Sequence, residues 1–203
     1  MRPLLISLLI ASASVARAGS MTHTPLVNGS TIDPVCRQLA LIPANTRSSG
    51  PQYDAAISTA NCMIMHRTKG LILTPSAQSV RDLDNAVAPA LQILERVIAT
   101  ADPAHAVLAR YAELDLYEGN TARLLAALTP PAPHMTGMQQ YEYDKHVAAA
   151  DALTQPWRES ALDTRRSIAA AVRAHPDLSR RDPVLAYAVE HSRVGAAAVA
   201  TRR

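Results

Sequence analysis

Phenylalanine is absent from the 203-residue chain, and lysine occurs only twice beside eighteen arginines. Together with abundant alanine, this bias is typical of a protein from a GC-rich bacterial genome. Beyond its N-terminal segment the chain also lacks any apolar run of about eighteen residues, the length that a transmembrane helix requires. We therefore expect a bacterial protein with no membrane span after that segment.

Strong enzyme motifs are also missing. The chain has no Gly-x-Ser-x-Gly elbow, no His-Glu-x-x-His pair, no glycine-rich phosphate loop and no Cys-x-x-Cys. These absences disfavour the common serine hydrolases, zinc proteases, nucleotide-binding proteins and thiol oxidoreductases. A hydrolase assembled from residues distant in the sequence stays open, because catalytic triads are recognised by geometry. It would need one of the seven histidines to meet a carboxylate in a cleft.

The first eighteen residues have the organisation of a secretory signal. Arg2 supplies a positive charge, and residues 4–10 form an apolar core too short to span a bilayer. Ala16 and Ala18 then provide the small residues that a signal peptidase accepts. We predict cleavage after Ala18 and a secreted or periplasmic location, with an uncleaved membrane anchor as the alternative.

Charge is distributed unevenly along the chain. Without Arg2 and Arg17 the net charge falls from +3 to +1, because 18 basic residues then face 17 acidic ones, so nucleic acid is not an expected partner. Residues 157–203 nevertheless carry a net charge of +4. Paired arginines in this part are candidates for an anion site or a membrane surface, with solvated helix faces as the alternative. They are Arg165, Arg166, Arg180 and Arg181.

Helix starts recur throughout the sequence. Asp-Pro dipeptides, which place a capping carboxylate before a proline of the first turn, begin at residues 33, 102 and 182. Apolar residues repeat at helical spacing between them. The sequence predicts an all-α fold, a bundle of six to eight short helices arranged as helical hairpins. Predicted helices include those near 34–42, 51–66, 79–100, 103–118, 136–154, 156–174 and 183–199, and 120–128 is either another helix or a continuation past Gly119.

The proline-rich segment 129–136 is the clearest linker. Residues 33–128 are predicted to form an N-terminal helical lobe and residues 137–203 a C-terminal one, either packed as one domain or hinged at the linker. Residues 19–32 show no periodicity and are predicted to be a flexible lead-in. Pro89 should kink or split the helix that contains it.

Cys36 and Cys62 are the only cysteines of the chain. They lie on two predicted helices joined by a short loop, in a protein expected in an oxidising compartment, so a disulfide is predicted. Closing the loop would stabilise the fold by roughly 3 kcal/mol through its restriction of the unfolded chain. The alternative is a thiolate ligand to a metal.

Methionine and histidine residues form two clusters. In residues 61–70, Met65 and His66 fall on the same helical face as Cys62. Thioether and imidazole groups are suitable ligands for copper(I), and a Glu–His pair suits zinc, so metal binding is predicted as an alternative if both clusters converge. Otherwise the methionines fill gaps in a core and no cofactor is expected. The second cluster consists of His134, Met135, Met138, Glu142 and His146.

The acidic residues Glu113, Asp115 and Glu118 lie close together in one predicted helix. Paired carboxylates divide acid and base roles when their surroundings separate their pKa values. A solvated acidic end of the helix is the simpler prediction, because the sequence gives no sign that these residues are buried.

By elimination, the sequence predicts a non-catalytic binding or interaction role in the bacterial cell envelope. Its partner would be an unidentified envelope protein or ligand. Such a role requires a groove or an exposed apolar patch between helices. Metal binding through the two clusters is the first alternative function, and a hydrolase without a recognisable motif is the second.

Overall fold

The computed structural model describes residues 20–46, 48–128, 134–181 and 183–200. Within these ranges the chain is mostly α-helical, as predicted. No helix of this part combines the length and apolarity needed to cross a membrane. The predicted signal segment 1–18 lies outside the described residues. The helices are α1 (Gly50–Thr68), α2 (Ala77–Thr100), α3 (Pro103–Ala126), α4 (Gly137–Ala174), α5 (Leu178–Arg181) and α6 (Pro183–Ala200).

A small sheet occupies the region where a lead-in and a first α-helix were predicted. Strand β1 (Met21–His23) pairs antiparallel with β2 (Leu41–Pro43), and a 3-10 helix (Pro34–Ala40) lies between them. Val27 and Ile32 are buried, so the segment 20–32 packs against the fold. A three-residue strand whose partner is distant in sequence leaves no periodic pattern, which is why the sequence did not reveal it.

Internal prolines do not interrupt the long helices. Pro89 lies within α2, and Pro156 lies within α4. The two helices predicted near 136–154 and 156–174 are one helix, α4, of 38 residues. A proline in a helix loses a hydrogen bond and crowds the preceding turn. Val87 and Trp157, close to these prolines, are buried, so tertiary packing outweighs the local cost. The helix α3 continues through Gly119, which is one of the two predicted alternatives, whereas the prediction of two short helices is wrong for α4.

Polar caps begin several of the helices. The Asp102 carboxylate accepts two N–H groups of the first turn of α3, as its Asp-Pro sequence predicts. Ser76 caps α2, and Thr136 forms a capping box with Gln139 at the start of α4. Asp33 makes no side-chain cap for the 3-10 helix, and its carboxylate has a different partner on α1.

The predicted disulfide between Cys36 and Cys62 is present, with a Cα–Cα distance of 5.8 Å. It joins the 3-10 helix to α1. One turn further along α1, Arg67 donates from Nε and Nη2 to the two carboxylate oxygens of Asp33 at 2.8 and 3.0 Å. These hydrogen bonds outweigh the effect of burial and hold the pKa of Asp33 below its ordinary value. A covalent link and an ionic link therefore attach the N-terminal segment to α1.

Two large buried clusters share α3, and a third, small one of Leu83, Leu124 and Trp157 joins α3 to α2 and α4. One, here the N-terminal core, joins the N-terminal segment to α1, α2 and α3. The other, the C-terminal core, joins α3 to α4, α5 and α6. Since α3 belongs to the predicted N-terminal lobe, that lobe contributes to both cores, and residues 129–133 of the predicted linker lie outside the described part. Representative members are Ala60, Met63, Ile93, Leu94 and Val97 in the first core and Val107, Leu114, Ala161, Ile168, Leu185 and Val189 in the second.

Candidate functional site

A groove between α4 and α6, here called the arginine groove, is the main candidate functional site. Its cavity volume is about 680 Å³, within the usual range of ligand pockets. Ile168, Val172 and Val189 give the groove an apolar floor. The charged side chains that line it are Arg165, Arg166, Arg173 and Arg193.

Helical spacing produces this arrangement. On α4, the lining residues Ile168, Ala169 and Val172 follow Arg165 by three, four and seven positions. This spacing places them on adjacent turns of one face of the helix. On α6, Val189 is followed three and four residues later by Ser192 and Arg193. Two facing stripes therefore form the groove, and each stripe combines apolar residues with arginine.

Arg165 is used inside the protein. Its side chain is buried, and Nη1 donates to the backbone carbonyls of His191 and Ser192 at 3.0 and 2.5 Å. Nη2 donates to the carboxylate of Glu118 on α3. These bonds connect α3, α4 and α6, so this arginine, which the sequence suggested for an anion site or a solvated face, has a structural role.

The other three arginines of the groove are exposed. Arg166 pairs with Asp163 at 2.8 Å, and both side chains remain largely in solvent, where such a pair contributes little free energy. Arg173 and Arg193 have no acidic partner among the described residues. None of the described residues that line the groove is acidic. The groove therefore presents unpaired positive charge above an apolar floor.

The remaining predicted arginines lie elsewhere. Arg180 is exposed on α5 and does not line the groove, and the side chain of Arg181 is outside the described part. Sequence reasoning missed Arg173 and Arg193. Arg173 was detectable, because it follows Arg166 by seven residues and so lies two turns away on the same face of α4.

The candidate metal ligands lie on α1 and in the segment 134–146, which includes the residues just before α4 and the first turns of that helix. Met65 is 64 % exposed on α1, and Nδ1 of His66 lies 3.6 Å from the carboxylate of Asp33. Among the described residues, no three His, Cys, Asp or Glu side chains converge in a way that would hold a metal. Copper or zinc binding through the two clusters stays a prediction. Near the start of α4, His134, Met138, Glu142 and His146 are exposed and Met135 is half-buried.

One histidine lies between two carboxylates. Nδ1 of His105 is 2.5 Å from Asp102, and Nε2 is 3.4 Å from Asp54 of α1. Burial alone would raise the pKa of Asp102, but hydrogen bonds from the ring and N–H of His105 hold it below its ordinary value. This cluster fixes the start of α3 against α1, which is a structural role.

A second histidine lines a small pocket of about 330 Å³ between α3 and α6. The ring of His191 stacks on Tyr187 at 3.7 Å, and Tyr187 meets Tyr111 edge to face. Burial, together with Tyr187 and the nearby carboxylates, raises the pKa of Tyr111 to about 12. The described lining includes neither serine nor cysteine, so this pocket adds no support to the hydrolase prediction.

The three acidic residues of α3 agree with the predicted solvated end only in part, because Asp115 and Glu118 are exposed while Glu113 is half-buried. Only Asp115 is well exposed without a partner in the described part, whereas Glu118 binds Arg165. Glu113 is half-buried. Burial raises its pKa to about 7, a shift that Arg110 opposes and Glu95 of α2 reinforces.

Comparison of the chain with protein-family models, with curated proteins and with solved structures gives no match in any of the three. A function must therefore be argued from the side chains themselves, their charges and the shape of the surfaces they form.

Proposed function

We propose that this protein is an exported, non-catalytic binding protein of the bacterial cell envelope whose arginine groove binds a single-chain anionic amphiphile. One observation carries the proposal. Arg173 and Arg193 border an apolar floor, and neither has an acidic partner among the described residues.

Both halves of such a ligand have a counterpart in the groove. A guanidinium group binds a carboxylate or a phosphate in a bidentate geometry. Each buried methylene group of a hydrocarbon chain contributes about 0.8 kcal/mol. A free inorganic anion gains nothing from Val172 and Val189, and a neutral hydrocarbon leaves the arginines without a partner. Only a ligand that combines an anionic head with an apolar chain satisfies both surfaces.

The shape of the groove favours one chain over a membrane surface. The concave cavity of about 680 Å³ encloses a small ligand, whereas a flat bilayer would contact the exposed arginines and miss the buried floor. Ile168 lines the groove and is fully buried, so the apolar surface that a ligand can reach comes from partly buried residues such as Val172. An anionic bilayer is therefore the competing partner that an experiment must exclude.

The proposed location is supported by covalent chemistry. Disulfides form and persist in secreted and periplasmic proteins and are rare in the cytosol. The link between Cys36 and Cys62 agrees with the secretory signal that the sequence predicts for residues 1–18.

Calorimetric titration of the purified protein with dodecanoate, below its micelle concentration, tests the proposal. We expect saturable binding that weakens as salt is added, because salt screens exposed charges. Acetate supplies the head group alone and dodecyl maltoside the chain with a neutral head. Each should bind at least tenfold more weakly than dodecanoate, and equal binding of the neutral detergent would contradict the proposal.

A matched pair of double variants separates the groove from general charge. R173Q/R193Q should weaken dodecanoate binding at least tenfold, because it removes both unpaired arginines of the groove. R81Q/R96Q removes the same charge from exposed positions on α2 and should leave the affinity unchanged. Equal losses in both variants would indicate non-specific attraction. If the protein binds anionic vesicles but does not bind dodecanoate, its partner is a membrane surface, and the proposal is wrong.

A further inference from the structure

A second groove lies between α1 and α3, on a different part of the molecule. Its cavity volume is about 680 Å³. Ile57, Ile64 and Met65 of α1 form an apolar wall, and Leu116 of α3 contributes to the opposite side. None of these residues lines the arginine groove.

A buried amide of this second groove has an unmet hydrogen bond. Asn120 lines the groove and is only 2 % exposed, and its Nδ2 has no partner within the described residues. A buried polar group that stays unpaired costs about 1–3 kcal/mol. An amide offers both a donor and an acceptor, so a ligand that carries a peptide group complements it in either rotamer.

Opposite charges lie on the two sides of this amide along α3. Asp115 and Arg123 both line the groove, and neither has an ion-pair partner in the described part of the chain. They are eight residues apart, which corresponds to a rise of about 12 Å along the helix. Asn120 lies between them in the sequence. A ligand with a positive end, a negative end and an amide in between would match all three groups.

We propose that the α1–α3 groove binds a short apolar peptide with free termini, three or four residues long. The ammonium group pairs with Asp115, the carboxylate pairs with Arg123, and a backbone amide hydrogen-bonds Asn120. An extended chain advances about 3.3–3.6 Å per residue, so three or four residues cover the distance between the charges. The order of the charges fixes the direction of the peptide along α3.

The apolar wall accounts for the side chains of such a peptide. Met65 is 64 % exposed, although a large apolar residue is normally withdrawn from water. Its unbranched, polarisable side chain adapts to different apolar partners. Ile57 and Ile64, on the same face of α1, extend this wall along the groove. The wall therefore favours apolar side chains without selecting one of them.

Titration with the tripeptide Leu-Ala-Leu tests this proposal independently of the amphiphile. The free peptide should bind saturably, while its N-acetylated form and its C-amidated form should each bind at least tenfold more weakly. Equal binding of the blocked and free peptides, or no binding of the free peptide, would overturn the proposal. R173Q/R193Q should leave peptide binding unchanged, so failure of one groove is distinguishable from failure of the other.

Variants of the two exposed charges assign each terminus. D115N should abolish the preference for a free amino terminus, and R123Q should abolish the preference for a free carboxylate. Because both side chains are exposed, neither change should disturb the fold. The matched controls D82N and R81Q, on the exposed face of α2, should keep both preferences. If D115N behaves like D82N, the peptide does not use this groove.

Substitution of the amide tests the third contact. N120L should weaken the free and the blocked peptides by the same factor, because it removes a backbone contact that is common to all of them. Its melting temperature, measured alongside, shows whether the fold is intact. If N120L stays folded and keeps full affinity for the peptide, the proposed contact with Asn120 is wrong.

Discussion

The N-terminal and C-terminal cores pack against the same helix, α3, but different interactions close them. In the first, a disulfide and the Arg67–Asp33 pair attach the segment before α1. In the second, the guanidinium of Arg165 on α4 donates to two backbone carbonyls of α6 and so attaches α6 to α4. The disulfide also restricts the unfolded chain, whereas the bonds of Arg165 exist only in the folded protein. The two cores should therefore respond to different perturbations.

Loss of the disulfide should have the largest effect. The variant C36S/C62S should lose roughly 3 kcal/mol of unfolding free energy, because its unfolded chain regains the freedom that the link removes. For a protein of this size the loss corresponds to a decrease in melting temperature of about 6–12 °C. Denaturant unfolding with and without reductant measures it. A wild-type protein that is insensitive to reductant would show that the link adds no stability.

Arg165 provides the equivalent test of the C-terminal core. R165M should destabilise the protein by about 2 kcal/mol, since buried hydrogen bonds to a charged group are lost and the carbonyls of α6 lose their donor. R165K should not restore stability, because an ammonium group does not reproduce the fork of a guanidinium. The neighbouring exposed pair supplies the control. R166M should cost less than about 0.5 kcal/mol, and equal losses in R165M and R166M would show that burial of Arg165 is unimportant.

Glu113 offers a pH test at the contact of α3 with α2. Its native pKa, about 7, lies above the ordinary value of 4.5, so the folded state binds the proton more tightly than the unfolded state. The contribution of Glu113 to stability should therefore be largest below pH 4.5 and should be lost as the pH rises through 7. After allowance for partial exposure, E113Q should stabilise the protein by about 1–2 kcal/mol at pH 8 and by almost nothing at pH 4. Unfolding curves at both pH values check this, and a pH-independent effect would show that ionisation is not the cause.

Asp33 should give the smallest effect, with the opposite dependence on pH. Because its native pKa is lowered, its contribution is present above pH 3.8 and is lost as the pH falls through the native value. D33N should lose about 1 kcal/mol at pH 7 and should approach the wild type as the pH falls through the native pKa of Asp33, because the wild-type carboxyl then takes up its proton. Melting temperatures across this range measure the difference. A constant difference would mean that shape, not charge, determines the effect.

Local chemistry made part of this fold readable from the sequence. The Cys36–Cys62 link followed from two cysteines in a chain for which the sequence predicts a secretory signal, and the cap at Asp102 followed from its Asp-Pro dipeptide. The continuity of α2 and α4 did not follow, because the cost of Pro89 and Pro156 is local while the packing that offsets it is distant in sequence. The pairing of β1 with β2 was not predictable either, because it also depends on residues that are distant in sequence.

The candidate sites were predictable only in part. The arginine-rich region was evident, but the prediction did not separate the buried arginine from the exposed ones. Arg165 follows Ala161 by four residues and precedes Ile168 by three, so it belongs to the apolar stripe of α4. That position was a usable signal of burial. The unpaired amide of Asn120 was not predictable, because it depends on which hydrogen-bonding groups lie near this side chain in the folded protein.

The sharing of α3 by both cores has a consequence for dividing the protein into fragments. A cut in the gene between α3 and α4 would leave Val107 and Leu114 uncovered on the first product. Ile168 and Val189 would be uncovered on the second. Each product would expose an apolar surface. We expect each product to aggregate when it is produced alone, and the two to recover a native structure only when they are produced together. A stable half of this protein therefore requires a redesigned α3.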